Sequence, residues 1–234
     1  MSFLGSLLFN IYLYLSLPFV CLLILVSYPF LSSKNLSKIA GLWISGILKL
    51  LRFLCGLNWK VKGLSNIPDS PVIVVSNHQG QWESIYLQTL THPISSIIKQ
   101  ELLFIPFFGW AVAFMSPIPI NRKEKFKSLR KVIDTAKIRL EDGFSGLVFP
   151  EGTRIKPESG IAEFSNSCGL ISTQNNVPIL PVCHNSGRFW ENKKFIKKPG
   201  TINVSIGPLF TGNDPKALTR EVKQWMKEES LKIN

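Results

Sequence analysis

The residues His78 and Glu83, in the stretch VSNHQGQWES, are the first candidates for chemistry. A carboxylate that binds one imidazole nitrogen leaves the other to act as a base, an effect worth about 10²- to 10⁴-fold in rate. Residues five apart differ by about 140° around a helix, so the pair can meet only if His78 lies in a loop and Glu83 on the first turn of a helix starting near Gln81. A loop histidine bonded to a backbone carbonyl is the alternative interpretation.

Charged residues after two other apolar runs could bind an anion. Arg122 ends the stretch IPINR, and the run LVFP is followed by Glu151, Gly152, Thr153 and Arg154. A guanidinium donates two parallel hydrogen bonds to a phosphate, and a glycine lets the backbone approach a ligand. Either arginine alone is more simply a surface or ion-paired residue. Together with the candidate base, they predict a site for an anionic substrate.

The elements that position these residues follow from periodicity after residue 58. Seven runs have strand character: WKVKG, PVIVVS, ISSIIK, MSPIPI, GLVFP, VPILPVCH and TINVSIG. Apolar residues between IPI and LVFP recur at intervals of three and four, which predicts an amphipathic helix ending at Gly143. Asp214 and Pro215 predict the start of a C-terminal helix. Strand runs alternating with helices indicate an α/β domain of about seven strands, whose strand-end loops are where sites form.

The first 58 residues predict a membrane anchor. No Asp, Glu, Lys, Arg or His occurs from Ser2 to Ser33, and this run exceeds the roughly 20 apolar residues needed to cross a bilayer. Pro18 and Pro29 leave open a re-entrant helix, and a signal peptide is disfavoured because no basic region precedes the run. The next segment, NLSKIAGLWISGILKLLRFLCGLN, has a cationic stripe opposite a broad apolar face. It predicts an interfacial helix, with a core helix as the alternative.

Charge and cysteine usage narrow the classes of function. The net charge is +12, but the basic residues are dispersed apart from one cluster at Arg188 to Gly200, and no nucleic-acid-binding motif is present. Anionic lipid and a phosphorylated substrate account for the charge more simply than nucleic acid. Lysines and arginines follow the first apolar run, which predicts a domain on the cytoplasmic face. The four cysteines and three histidines have no paired or metal-ligand spacing, so no disulfide, metal or cofactor is predicted.

Five ordered stretches of the chain resemble motifs of the glycerolipid acyltransferase family, which includes the 1-acylglycerol-3-phosphate acyltransferases. In chain order they are NHQGQWE, KQELLFIPFFGW, IPINRK, FPEGTR and VPILPV. The resemblance covers about Val72 to Val182. It implies a mixed β-sheet flanked by helices, and acyl transfer from acyl-CoA or acyl carrier protein to the free sn-2 hydroxyl of the lysophospholipid 1-acyl-glycerol-3-phosphate, giving phosphatidic acid in phospholipid biosynthesis. His78 is then the general base, and Glu83 orients it. The implied acceptor-binding residues, with the arginines on the phosphate, are Arg122, Glu151, Gly152, Thr153 and Arg154.

Two positions depart from the pattern of the resembling family. Glu83 stands where the first motif usually ends in aspartate, and Ser165 stands where many members have a lysine. Two alternatives therefore stay open: an acyltransferase for glycerol 3-phosphate or another lysophospholipid, and a catalytically inactive membrane-binding module. The GxSxG elbow of an α/β-hydrolase is absent. The predicted organisation is a membrane anchor over residues 1–58 and an acyltransferase domain over residues 59–234.

Overall fold

The computed structural model describes residues 2–121 and 125–233, so Arg122 lies outside the described residues. The strands are β1 (Leu57–Lys62), β2 (Ile73–Ser76), β3 (Ile94–Lys99), β4 (Ile118–Ile120), β5 (Ser145–Val148), β6 (Ile179–His184) and β7 (Gly200–Ile206). The helices are α1 (Ser2–Ser27), α2 (Ser33–Cys55), α3 (Trp82–Tyr86), α4 (Phe108–Ala113), α5 (Lys125–Glu141), α6 (Ser167–Asn175) and α7 (Pro215–Ile233). Each strand-like run in the sequence forms a strand.

The strands form one sheet in the order β1-β7-β6-β2-β5-β3-β4. Every neighbouring pair is parallel except β6 and β7, which are antiparallel. This mixed sheet confirms the predicted fold class. The central strands β2, β5 and β6 are buried along their whole length, as parallel strands covered on both faces must be. Because these three strands are parallel, the loops that follow them meet at one edge of the sheet.

Two layers of helix cover the sheet. On one face, α2 contributes Ile47 and Leu51 to a core that includes Val74 of β2. On the other face, α5, α6 and α7 pack against Ile73 and its neighbours, since side chains alternate across a strand. The sequence predicted that the broad apolar face of α2 lies on the membrane. Part of that face instead packs into the core of the sheet. Its outer side still exposes apolar residues, including Phe53 at 84%.

The two N-terminal helices form an antiparallel hairpin. Gly5 lies so close to α2 that a methyl group added there would be 2.0 Å from the carbonyl oxygen of Leu54. Farther along, the indole N–H of Trp43 donates to the Ser16 hydroxyl at 3.0 Å. Among the described residues, α1 is the one helix that is long and apolar enough, by length and composition, to cross a membrane. Residues of α1 and α2, including Phe9, Ile47 and Leu51, belong to the same buried cluster as Val74 of β2, and the division after residue 58 stays a prediction.

A buried lysine joins α1 to the loop after β6. Lys197 is 2% exposed, and its ammonium donates to the Asn10 side chain and, at 2.9 Å, to the carbonyl of Phe195. Its backbone N–H donates to the Ser6 hydroxyl at 2.9 Å, and the ammonium lies 4.8 Å from the ring centroid of Trp190, within cation–π range. Burial lowers the pKa of Lys197 to about 8. The first helix and this loop therefore share a polar contact inside an apolar environment.

Candidate active site

His78 and Glu83 are in contact beyond the carboxyl end of β2. Nδ1 of His78 and Oε1 of Glu83 are 2.8 Å apart. His78 lies in the loop after the strand, and Glu83 lies on the first turn of α3, whose N-cap is Gln81; this is the junction that the spacing requires. Because a carboxylate only accepts, Nδ1 carries the proton and Nε2 is left as the proton acceptor. The histidine side chain is 15% exposed, so a substrate can reach it.

Glu83 is fully buried. Its Oε1 also accepts the backbone N–H of Gln79 at 2.9 Å and of Gly80 at 2.7 Å. Its Oε2 accepts the hydroxyl of Ser186 at 2.7 Å. Burial raises the pKa of Glu83, but the hydrogen bonds from His78 and Ser186 outweigh it and hold the pKa well below its ordinary value. The carboxylate therefore stays charged at neutral pH and fixed in position.

Glu151 supports the loop of the candidate base. Its Oε2 accepts the backbone N–H of His78 at 2.8 Å, and its Oε1 accepts that of Ala162 at 3.1 Å. The backbone N–H of Ile155 donates in turn to the carbonyl of His78 at 2.7 Å. Burial raises the pKa of Glu151, and the two backbone hydrogen bonds oppose that rise. A carboxylate repels phosphate, so this geometry favours a positioning role over the acceptor-binding role that the resemblance implied.

The other predicted phosphate-binding residues of this loop are Gly152, Thr153 and Arg154, which directly follow Glu151. Nε of Arg154 donates to the carbonyl of Gly80 at 2.6 Å, which ties its guanidinium to the loop of the base. The side chains of Arg154 and Thr153 are exposed. Gly152 has a φ of 68° with open space where a side chain would project. The structure thus places Glu151 and Arg154 at the loop of His78, while the roles of Gly152, Thr153 and Arg122 stay predictions.

Exchanging Glu151 for glutamine should destabilise the protein by about 1–3 kcal/mol, the cost of a buried donor left without an acceptor. An amide has one oxygen, so either His78 or Ala162 would direct its N–H at an –NH₂ group. Urea unfolding measures the change. The exposed Glu158 in the following segment provides the control Glu158→Gln, expected to change stability by less than about 0.5 kcal/mol. Equal losses in both variants would contradict the positioning role.

The sequence patterns did not predict the residues at and after the end of β6 that complete the site. The side chain of Asn77 bonds to the backbone of His184, donating to its carbonyl at 2.9 Å and accepting its N–H at 3.1 Å. Burial lowers the pKa of His184 and keeps it neutral, and its Nε2 lies 2.9 Å from the carbonyl of Asn77. On the other side, the ring of Phe149 stacks on His78 with centroids 4.2 Å apart. The available signal was the polar run HNS, which begins at the last residue of the buried strand β6.

The arrangement combines a candidate base, an ionised carboxylate that orients its imidazole, and an exposed arginine. Among the described residues, no cluster of three or more His, Cys, Asp or Glu side chains has the arrangement of a metal site. Such a site can deprotonate a hydroxyl next to a bound anionic group.

Known proteins match most of the chain. A family model described as Acyltransferase matches residues 58–185. The 1-acyl-sn-glycerol-3-phosphate acyltransferase of Pseudomonas aeruginosa is 36% identical over 197 residues, covering 82% of this chain and 76% of that protein. The 1-acyl-sn-glycerol-3-phosphate acyltransferase alpha of Mus musculus is 29% identical over 193 residues, covering 77% and 67%.

The same fold occurs in a crystal structure of the 1-acyl-sn-glycerophosphate (LPA) acyltransferase from Thermotoga maritima. The TM-score is 0.80 at 22% identity, over 99% of this chain and 95% of that one. The region matched by the family model contains His78, Glu83 and Arg154, and it ends one residue before Ser186.

Proposed function

The chain belongs to the acyltransferase family, and we propose that it moves a fatty acyl group from acyl-CoA or acyl carrier protein to the free sn-2 hydroxyl of 1-acyl-glycerol-3-phosphate. The product is phosphatidic acid, an intermediate of phospholipid biosynthesis. The observation that carries the proposal is the 2.8 Å contact between His78 Nδ1 and Glu83 Oε1, next to an exposed arginine that suits the acceptor phosphate. The names of the bacterial and mouse relatives specify the same acceptor.

In the proposed reaction, His78 Nε2 takes the proton of the acceptor hydroxyl while its oxygen attacks the carbonyl carbon of the thioester. The tetrahedral intermediate collapses, the C–S bond breaks, and the imidazolium gives the proton to the leaving thiolate. Glu83 stays ionised throughout, holds the imidazole in the Nδ1–H form and stabilises the imidazolium. The acceptor hydroxyl is itself the nucleophile, so the reaction needs no acyl-enzyme intermediate.

Release of thiol tests this proposal. Purified protein in detergent is given 1-acyl-glycerol-3-phosphate with acyl-CoA or acyl carrier protein, and mass spectrometry identifies the phosphatidic acid. An acceptor panel of glycerol 3-phosphate and other lysophospholipids separates the proposed reaction from the alternative acyltransferases. Failure of every acceptor and donor to release thiol above a His78→Ala control would reject the enzymatic proposal and favour an inactive membrane-binding module.

Arg154 is expected to bind the phosphate of the acceptor. Arg154→Ala should lower kcat/KM for the acceptor by about 10- to 100-fold, chiefly through KM, because a hydrogen bond to a charged group contributes about 1.5–3 kcal/mol. Arg154→Lys should recover only part of this loss, since an ammonium lacks the planar fork.

The readout is steady-state kinetics with each substrate varied in turn. Arg220→Ala, which removes an exposed arginine of α7, is the matched control. An unchanged acceptor KM in Arg154→Ala would exclude Arg154 from the phosphate site, and an equal rise in the KM of the acyl donor would mean that the arginine is not specific to the acceptor.

We also propose that the enzyme acts at the cytoplasmic face of a membrane, with residues 1–58 as anchor and residues 59–234 as catalytic domain. The outer face of α1 exposes large apolar residues such as Phe19 at 72%, and Phe53 of α2 is 84% exposed beside the exposed Arg52. Apolar residues with adjacent cations suit a surface of anionic lipid. The partners are membrane lipids, the lysophospholipid and the acyl donor, with no nucleic acid, metal or cofactor. Protease protection in membrane vesicles of known orientation distinguishes the two faces.

A further inference from the structure

We propose that Ser186 is a positioning residue of the acyl transfer, because its hydroxyl fixes the Glu83 carboxylate and through it the imidazole of His78. This inference rests on the proposed acyltransferase function and adds to it a residue that lies beyond the region matched by the family model, which ends at residue 185.

The carboxylate of Glu83 needs a partner on each oxygen to stay in one orientation. Its Oε1 serves three donors, His78 Nδ1 and the backbone N–H groups of Gln79 and Gly80. Its Oε2 accepts the hydroxyl of Ser186 at 2.7 Å. The terminal torsion of a glutamate is broad and roughly two-fold, so bonds to one oxygen leave the carboxylate able to rotate. The bond from Ser186 to the second oxygen restricts this rotation and keeps Oε1 on the imidazole.

Hydrogen bonds through His184 and Gly187 connect the segment of Ser186 to the loop that carries His78. Its backbone N–H donates to Nδ1 of His184 at 3.3 Å, and Nε2 of His184 lies 2.9 Å from the carbonyl of Asn77, to which it donates. One neutral imidazole therefore joins the loop after β6 to the residue immediately before His78. A second bond, from the N–H of Gly187 to the Gln79 side chain at 3.1 Å, joins the same two loops. The hydroxyl thus has a fixed position relative to the base.

The same contacts argue against Ser186 as a nucleophile. Its hydroxyl is 0% exposed, so a thioester has no access to it. The proton of the hydroxyl points to a carboxylate oxygen, whereas Nδ1 of His78 is bound to the other oxygen of that carboxylate. A serine in this environment can orient the carboxylate but cannot accept an acyl group.

A double-mutant cycle between Ser186→Ala and Glu83→Asp tests the proposal. We expect Ser186→Ala to lower kcat by about 10- to 100-fold, as the loss of a hydrogen bond to a charged group implies, with both KM values within about twofold. Aspartate is one methylene shorter and should not reach Ser186, so in the Glu83→Asp background the serine change should cost less than about threefold. A merely structural serine would instead give the same factor in both backgrounds.

Ser172→Ala is the matched control. Ser172 is also buried, at 3% exposed, and donates to a backbone carbonyl, that of Val177, at 2.6 Å, but it lies on α6 away from the base. We expect its kcat to stay within about twofold of wild type. An unchanged kcat in Ser186→Ala, or the same loss in both backgrounds, would overturn the proposal.

A second readout does not depend on turnover. The chain has three histidines, so selective ¹⁵N labelling gives three imidazoles to follow by NMR. Ser186→Ala should shift the imidazole signals of His78 and leave those of the exposed His92 in place, even if no acceptor or donor in the panel reacts. Unshifted His78 signals would overturn the positioning role whatever the substrate proves to be, whereas absent turnover with shifted signals would reject only the proposed function.

Discussion

Replacing His78 with alanine should lower kcat by about 10²- to 10⁴-fold, the usual contribution of a general base. The bond from Nδ1 to Glu83 leaves Nε2 as the proton acceptor, and water at neutral pH is a much weaker base than the imidazole that we propose acts on the acceptor hydroxyl. The fold should survive, because the histidine side chain is partly exposed and the backbone N–H that binds Glu151 remains.

The control for this variant is another histidine. His92 is exposed and precedes β3, so it lies at the opposite edge of the parallel strands from the site. His92→Ala should keep kcat within about twofold, and thermal unfolding should confirm that both variants fold. A His78→Ala protein with more than about a tenth of wild-type kcat would remove the histidine from its role as base.

Replacing Glu83 with alanine should lower activity about as much as loss of His78 and, in addition, lower the free energy of unfolding by about 3–5 kcal/mol. Four donors lose their acceptor in a buried place: His78 Nδ1, the N–H groups of Gln79 and Gly80, and the Ser186 hydroxyl. Urea unfolding together with kinetics separates the two effects. If Glu83→Ala were as stable as His78→Ala, the carboxylate would not hold the loop.

Glu83→Gln isolates the charge from the shape. Its amide oxygen can still accept the three N–H donors, and its –NH₂ can donate to the oxygen of Ser186. We therefore expect Glu83→Gln to lose less stability than Glu83→Ala. It should lose nearly as much activity, because a neutral amide does not stabilise the imidazolium.

The stability gap between wild type and Glu83→Gln should also depend on pH. The folded-state pKa of Glu83 is depressed, so its ionised form contributes stability that is fully present above the unfolded carboxyl pKa of about 4.3. That contribution is lost as the pH falls from there toward the folded-state pKa. Urea unfolding at several pH values between 7 and 3 should show a constant gap above about pH 5 and a shrinking one below. A constant gap down to pH 3 would contradict the depressed pKa.

Local patterns in the sequence were enough for the sheet and for the central pair. Strand runs and helical periods depend on neighbours a few residues away. Residues five apart, such as His78 and Glu83, can meet only where a loop leads into a helix, as it does between β2 and α3. Both features were therefore predictable without knowledge of the tertiary fold.

Long-range contacts were not predictable in the same way. Ser186 reaches Glu83 across 103 residues, and it does so because β6 lies next to β2 in the sheet, an order that no local pattern specifies. For Glu151, the motif predicted the loop but not that its carboxylate faces the backbone of His78. For α2, the apolar arc was visible, but how much of it packs into the core depends on the sheet beneath it.

The contact between α1 and Lys197 joins two parts of the chain that are synthesised at very different times. Ser6 accepts the backbone N–H of a residue 191 positions later. At a synthesis rate of about 5 to 20 residues per second, α1 is complete roughly 9 to 34 s before Lys197 is added. During that interval Asn10 and Phe9 lack their partner loop. We therefore expect the helical hairpin to reach the lipid surface first, so that the loop of Ser186 closes onto a helix that the membrane already holds.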